Sequence, residues 1–344
     1  MATVDVTLRG AGVFGLSVAW ACLKAGATVR VIDPNGVGSG ASGGIVGALA
    51  PHVPEQWNPK KAFQLKSLLM ADSWWGEVET TGGLSSGYGR TGRLQPIAND
   101  AALLLAKTRI VSAVTHWQDR AIWEVIPAPS DFVSQSPTGL YIHDTLTARL
   151  HPAQGCAALA AAVVTRGGEI LTEAPDEGAV VWATGWQGLE HLSNQHTRMV
   201  GAGIKGQAVL LEYDARTKPQ LFVDGLHIIP HADGTTAIGS TTEREFDDTN
   251  STDAQCDALI AKARAAVPAL QHACEICRWA GVRPRARTRA PMLGAHPFRK
   301  GDFIANGGFK IGFGMAPLAA ENLADFILTG KNIIPEDFDP QASL

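Results

Sequence analysis

Apolar positions along the first eighty residues fall into a few well-separated runs. Residues 4–8 read as a buried strand, 16–25 as an apolar helix of about three turns, and 28–32 as a second strand that ends on Asp33. From Lys60 to Val78, the set Phe63, Leu65, Leu68, Leu69, Trp74 and Trp75 has helical spacing. Its two tryptophans are expected in the core or between domains, not as a ligand platform. Further on, strands are expected over residues 91–97, 117–126 and 139–143, with a helix at 101–113 and loops marked by Pro127, Pro129 and Pro137. An alanine-rich helix at 153–165 ends at Gly167-Gly168, followed by strands at 169–171, 178–186 and 206–210. Two strands within 227–242 meet at Asp233-Gly234, a hairpin signal. A helix at 256–266 is stopped by Pro268, and a last strand near 303 leads to a helix at 318–328.

The first strand runs directly into Gly10-Ala11-Gly12-Val13-Phe14-Gly15, the spacing GxGxxG. Gly10 allows the tight turn, Gly12 lets a pyrophosphate approach the backbone, and Gly15 lets the helix pack on the sheet. Free N–H groups at the helix start, including those of Val13 and Phe14, suit phosphate charge. Asp33, followed by Pro34, stands where a carboxylate would accept hydrogen bonds from a ribose 2′-OH and would repel a 2′-phosphate. The unit is therefore read as a dinucleotide-binding βαβ, and an NADP-type ligand is disfavoured.

A second glycine-rich loop, residues 36–51, separates FAD from NAD. Its Gly40-Ala41-Ser42-Gly43-Gly44-Ile45-Val46-Gly47-Ala48-Leu49-Ala50-Pro51 resembles the Gly-Ala-Ser-x-x-x-x-Gly-x-Leu-x-Pro loop of the D-amino-acid oxidase superfamily of flavoproteins, in its glycine oxidase-like branch. In that family the loop runs along the FAD pyrophosphate and one edge of the flavin ring, which implies contacts from Ser42, Gly43, Gly44, Ile45, Val46 and Gly47. Three more stretches are similar to family motifs: the run closing on Thr184-Gly185-Trp186, Trp279-Ala280-Gly281-Val282-Arg283-Pro284, and Gly307-Gly308-Phe309-Lys310-Ile311 before the last helix. The implied fold is α/β, a Rossmann-like FAD-binding domain interleaved with an antiparallel-sheet (α+β) substrate domain. Residues 1–81, 144–203 and 275–344 are assigned to the first, and 82–143 and 204–274 to the second. Only residues 172–177 link two strands that a longer meander separates in relatives, so the adenine side is expected to be open.

The resemblance implies oxidation of the C–N bond of a small amino acid or secondary amine, by hydride transfer from the α-carbon to flavin N5 to give an imine. Such chemistry needs orientation and exclusion of water more than acid–base machinery. Arg283 matches the family's carboxylate-binding arginine, and a planar fork suits two carboxylate oxygens. Where glycine oxidases carry tyrosine, methionine and arginine, this chain has His227, Thr242 and Lys310, and Thr288 replaces an acidic residue. These changes imply a more polar pocket, with Lys310 near the flavin and a substrate bearing an additional polar group. Arg283, Arg285, Arg287 and Arg289 alternate, which on a strand would put them on one face and suit an acidic substrate; a solvated arginine run beyond Pro284 is the reading preferred over it.

The 344 residues, 45% hydrophobic and 18% charged, suffice for one large or two interlocked domains. A net charge of −4 argues against general nucleic-acid binding, and no apolar run is long enough to span a membrane. Five cysteines and the lack of a visible secretory leader point to reduced thiols in the cytoplasm. Cys274 and Cys277 have CxxC spacing without a second pair, so no metal is expected. None of the five lies in the final glycine loop, so FAD is expected to be non-covalent. The partners implied are an amino acid or amine and dioxygen or another electron acceptor, with a homo-oligomer left open. Competing readings are a flavin-dependent oxidase of a modified RNA base, a flavin-binding protein without catalysis, and an NAD-dependent dehydrogenase.

Overall fold

The computed structural model describes residues 4–344, and residues 1–3 of the expected first domain lie outside the described residues. The N-terminal apolar runs form the expected parallel unit of β1 (Val6–Arg9), α1 (Val13–Lys24) and β2 (Val29–Ile32), with Val6 opposite Val29. They sit in a six-stranded sheet ordered β15 (Met292–Ala295), β16 (Phe303–Asn306), β9 (Ala179–Trp182), β1, β2, β8 (Glu169–Leu171). Only β15 runs antiparallel to its neighbour. The short link after β8 is tied down by ion pairs of Arg9 to Asp176 and of Arg30 to Glu177.

α1 is buried from Val13 to Leu23 because it lies between β1 and β2 and the helices α4 (Pro152–Thr165) and α7 (Gly312–Thr329). α2 (Pro59–Gly82) starts where Asn58 Oδ1 accepts the Lys61 N–H at 3.0 Å and ends at Gly83, φ 69°. Wedged between α4 and α7, it buries both Trp74 and Trp75, whose rings meet edge to face at 4.9 Å. Both tryptophans are core, as their helical spacing predicts.

The second sheet has eight strands in the order β14 (Cys274–Ala286), β10 (Gly201–Glu212), β13 (Thr236–Gly239), β12 (Leu226–Pro230), β11 (Gln220–Val223), β4 (Arg93–Pro96), β6 (Leu140–Asp144), β5 (Trp123–Pro127). Neighbours are antiparallel except β11 and β4. α3 (Asp100–Trp117) packs on β5 and α6 (Gln255–Ala266) on β10. The hairpin turns at Asp233-Gly234 as predicted, with Gly234 at φ 88° and Asp233 Oδ1 accepting from Thr235. A two-stranded ribbon, β3 (Ala48–Leu49) and β7 (Ala148–Arg149), pins the second glycine-rich loop.

Three expectations need correction. The strand expected at 117–126 starts only at Trp123, because Trp117 is the last residue of α3 and packs its indole on Trp123 at 5.9 Å. The strand expected at 178–186 stops at Trp182, and Gly185 and Trp186 begin α5 (Gly185–Asn194), Gly185 taking φ 62° at the corner. The chain does not return to the first sheet at 275. β14 stays bonded to β10 from Cys274 to Ala286, so the crossing comes after Ala286, and β10 starts at Gly201, before the boundary set at 204.

Candidate active site

Where β1 meets α1, bare backbone is required. Gly10 has φ 115°, and a Cβ there would lie 2.4 Å from the Ala183 carbonyl oxygen, while one on Gly15 would lie 1.9 Å from the Gly10 oxygen. The first helical bond of α1 runs from Leu16 N to Gly12 O at 3.0 Å, which leaves the N–H groups of Val13, Phe14 and Gly15 at the helix start. Ser42 Oγ accepts the Val13 N–H at 3.0 Å. Asp33 Oδ2 accepts from Ala11 N at 2.8 Å and Oδ1 from Asn35 N at 3.0 Å, which holds its carboxylate at the end of β2, with Pro34 exposed beside it.

The second glycine-rich loop closes over this turn. Gly38 N donates to Ala11 O at 2.9 Å, Ala153 N to Gly44 O at 3.2 Å, and Leu150 N to Gly47 O at 3.0 Å. A Cβ on Gly43 would meet Gly38 O at 2.1 Å, and one on Gly47 would meet Leu150 O at 1.9 Å. Ile45 and Val46 pack instead against Ala208, Leu210 and Ala237 of the eight-stranded sheet. His231 binds the Ile45 oxygen through Nε2 at 2.8 Å. Burial, and then the neighbouring His151, push its pKa down to about 4. The loop thus joins the two sheets.

From the other side comes the last glycine loop. Gly307 has φ 74° and Phe309 φ 44°, and a Cβ on Gly308 would sit 2.9 Å from the Phe14 ring. Phe309 N donates to Pro284 O at 2.9 Å. Ile311 precedes α7, whose first bond is Met315 N to Ile311 O, and Gly312 faces Val13. Two helix N-termini, α1 and α7, therefore open toward one glycine-lined cradle, with partial positive charge at its floor. At the β9 corner Thr184 precedes α5, Asn306 Nδ2 donates to Gly185 O at 2.8 Å, and Trp186 packs under Gly203. This donor set and the close backbone approaches fit the pyrophosphate and ribose of FAD.

Beside the cradle, Arg283 is buried, with its guanidinium against Gly206. It donates to Ser240 Oγ at 2.8 Å and to Thr241 O at 3.4 Å, and burial brings its pKa down to about 10. Lys310 Nζ donates to Thr242 Oγ1 at 3.0 Å. Although much of this side chain is exposed, partial desolvation of the ammonium and then the charge of Arg283 lower its pKa. The His227 ring packs tilted against Phe222 at 4.6 Å, and its Nδ1 is buried without a partner among the described residues. Burial, then the charges of Arg93, Lys310 and Arg283, push its pKa to about 3, so the ring is neutral. Arg283, Thr242, Lys310 and His227, singled out in the sequence, thus share one electrostatic environment.

The arginine run does not form one face. Arg285 lies over the Phe309 ring at 5.8 Å, Arg287 donates to the Ser343 and Leu344 carbonyls at 3.0 and 2.7 Å, and Arg289 takes φ 61° in a turn. β14 ends at Ala286, so Arg283 and Arg285 alternate on a strand while Arg287 and Arg289 lie beyond it. Thr288 Oγ1 pairs with Ser343 Oγ at 3.2 Å. Sequence reasoning missed Ser240 and Thr241 as seats of the arginine, and His231 as the support of the Ile45 carbonyl. Cys274 and Cys277 are free and exposed, and no group of residues able to hold a metal occurs among the described residues. Among those residues, no helix is long and apolar enough to cross a membrane.

A mostly parallel sheet with a glycine-lined dinucleotide cradle, beside a mostly antiparallel sheet carrying a buried arginine, is the architecture of a flavin-dependent oxidoreductase. The profile of the FAD dependent oxidoreductase family matches residues 5–326, and the chain belongs to that family. Glycine oxidase of Pseudomonas aeruginosa is 32% identical over 143 residues, which span 41% of this chain and 39% of that protein. Glycine oxidase of Bacillus licheniformis is 23% identical over 348 residues, spanning 94% of this chain and 93% of that protein. Among solved structures, iminodiacetate oxidase from Chelativorans sp. BNC1 superimposes with TM-score 0.84 at 20% identity, covering 98% of this chain and 99% of that one. Glycine oxidase from Geobacillus kaustophilus gives 0.83 at 20% identity over 97% of both chains. These superpositions share the fold.

Proposed function

We propose that the protein oxidises the C–N bond of a carboxylate-bearing amine, an amino acid or its N-substituted derivative, to an imine that water then hydrolyses. The observation that carries this reading is Arg283, a buried cation whose partners are two neutral oxygens, set beside the cradle. A desolvated guanidinium calls for a carboxylate, and its fork would fix that carboxylate and with it the α-carbon. FAD, when bound, accepts the two electrons of the departing hydride.

A nitrogen lone pair must be free to form the C=N bond, so the amine reacts in its uncharged form. His227, held neutral, adds no further charge and can accept or donate one hydrogen bond through its unpartnered Nδ1. Glycine and sarcosine, D- and L-amino acids are the substrates to try first, and glycine oxidases among the relatives support that panel. Dioxygen is the first electron acceptor to test.

Product analysis tests the reading. Mass spectrometry of an aerobic reaction is expected to find the 2-oxo acid and the released amine in equal amounts. Consumption of an amine without a carbonyl product would contradict C–N oxidation.

A further inference from the structure

We propose, resting on the oxidative reading above, that the pocket takes a substrate with two negatively charged groups, such as a dicarboxylic amino acid or an N-carboxyalkyl amino acid. Arg283 binds one group and Lys310 the other.

The charges around His227 lead to this assignment. Three cations act on that ring, Arg93, Lys310 and Arg283. Arg93 is already matched, because its Nε donates to the fully buried Asp144 at 3.0 Å. Among the described residues, the hydrogen bonds of the other two go to neutral oxygens: Arg283 holds Ser240 Oγ and Thr241 O, and Lys310 holds Thr242 Oγ1. Among the described residues, the carboxylate whose charge acts on Arg283 is that of Glu243, through space. Its oxygens are engaged by the Thr241 hydroxyl and by Gln207 Nε2 at 3.3 Å.

Hydroxyls and carbonyls do not neutralise a cation, so each of the two lacks a counter-ion in contact. They are seated on the consecutive residues 240–242, and therefore flank one short segment instead of lying on separate surfaces. The positive field is reinforced by Arg285, which shares the Phe309 ring with Lys310 at 5.8 and 5.7 Å. A planar fork suits a carboxylate held in fixed orientation, while a lysine on a flexible stem suits a second anion at adjustable reach. One carboxylate would satisfy Arg283 and leave Lys310 without a counter-ion in contact. A dianion satisfies both.

Calorimetric titration of the FAD-loaded protein with anions that lack nitrogen reads this site apart from turnover. Acetate is the monoanion, and malonate, succinate and glutarate vary the spacing of two carboxylates. The expected result is that one dicarboxylate binds about 30-fold tighter than acetate, and that Lys310→Met lowers this ratio about tenfold or more. Lys310→Arg, which keeps the charge, is expected to hold the ratio within about threefold of the parent. A wild-type ratio below about threefold, or equal weakening of acetate and dicarboxylate by Lys310→Met, would overturn the proposal. So would an intact ratio in a Lys310→Met protein whose flavin reoxidises slowly, since the lysine would then serve the reduced cofactor. If the ratio behaves as expected while no amine reduces the flavin, the two-anion site stands and the oxidative reading fails.

Discussion

Arg283→Met separates a carboxylate clamp from a structural strut. The substitution removes the guanidinium and keeps an unbranched apolar stem. Two charge-assisted hydrogen bonds to a carboxylate contribute about 1.5–3 kcal/mol each, so ligand binding is expected to weaken by about 3 kcal/mol or more, roughly 150-fold. Folding is expected to respond little. In the free protein the buried guanidinium rests on Ser240 Oγ and Thr241 O, with no carboxylate in contact. Removing an unpaired buried charge is favourable and losing its two hydrogen bonds, about 1.5–3 kcal/mol each, is not, so the two effects offset each other. Perturbation of the flavin absorbance by a non-reactive carboxylate gives Kd, and urea unfolding of the same preparations gives stability. A Kd within about threefold of the parent would refute the clamp, and a loss of several kcal/mol of stability with Kd unchanged would make Arg283 a strut. Gly206→Ala is a check from the opposite side, because its Cβ would fall 1.8 Å from Arg283 Nη1 and displace the fork. It is expected to weaken the same ligand.

Other consequences follow from the same geometry. Gly10→Ala combines φ 115° with a Cβ 2.4 Å from Ala183 O, so opening the β1–α1 turn should cost about 1–3 kcal/mol and leave the purified protein short of flavin; full loading would contradict this. Trp75→Ala empties a fully buried site between α2 and its neighbours and should cost about 3–5 kcal/mol in urea unfolding, while ligand Kd on the folded enzyme stays the same. Half-buried His227, at about 3, and buried His231 and His296, each at about 4, bind protons more weakly folded than unfolded. Their contribution is therefore fully present above the unfolded histidine pKa and is lost as pH falls from about 6.5 toward 4, so the urea midpoint should drop across that window. A flat midpoint there would contradict the buried, neutral assignment.

The FAD half was the more legible part of the sequence. Gly10, Gly12, Gly15 and Asp33 lie within one local βαβ unit, where chain order and spatial order coincide, so spacing alone carries geometry. The substrate side depends on partners far apart in the chain. Arg283 rests on residues some forty positions away, and His231 supports the Ile45 carbonyl across a separation of 186 residues. No local pattern marks such pairs. In the arginine run the alternation holds a strand only as far as Arg285, because β14 ends at Ala286 and Arg287 turns to the Ser343 and Leu344 oxygens. Boundaries slipped for similar reasons. Trp117 looks strand-like by type, yet its indole is worth more to α3 packed on Trp123. Likewise β14 carries family motifs on its way to the cradle while still bonded to β10.

The most direct measurement is an anaerobic absorbance titration of the FAD-loaded protein with glycine, sarcosine, D- and L-amino acids, and dicarboxylic amino acids. The account predicts loss of the oxidised flavin band with at least one carboxylate-bearing amine, and no loss at the same concentration in Arg283→Met. If dithionite bleaches the flavin but no member of the panel does, the central claim is wrong.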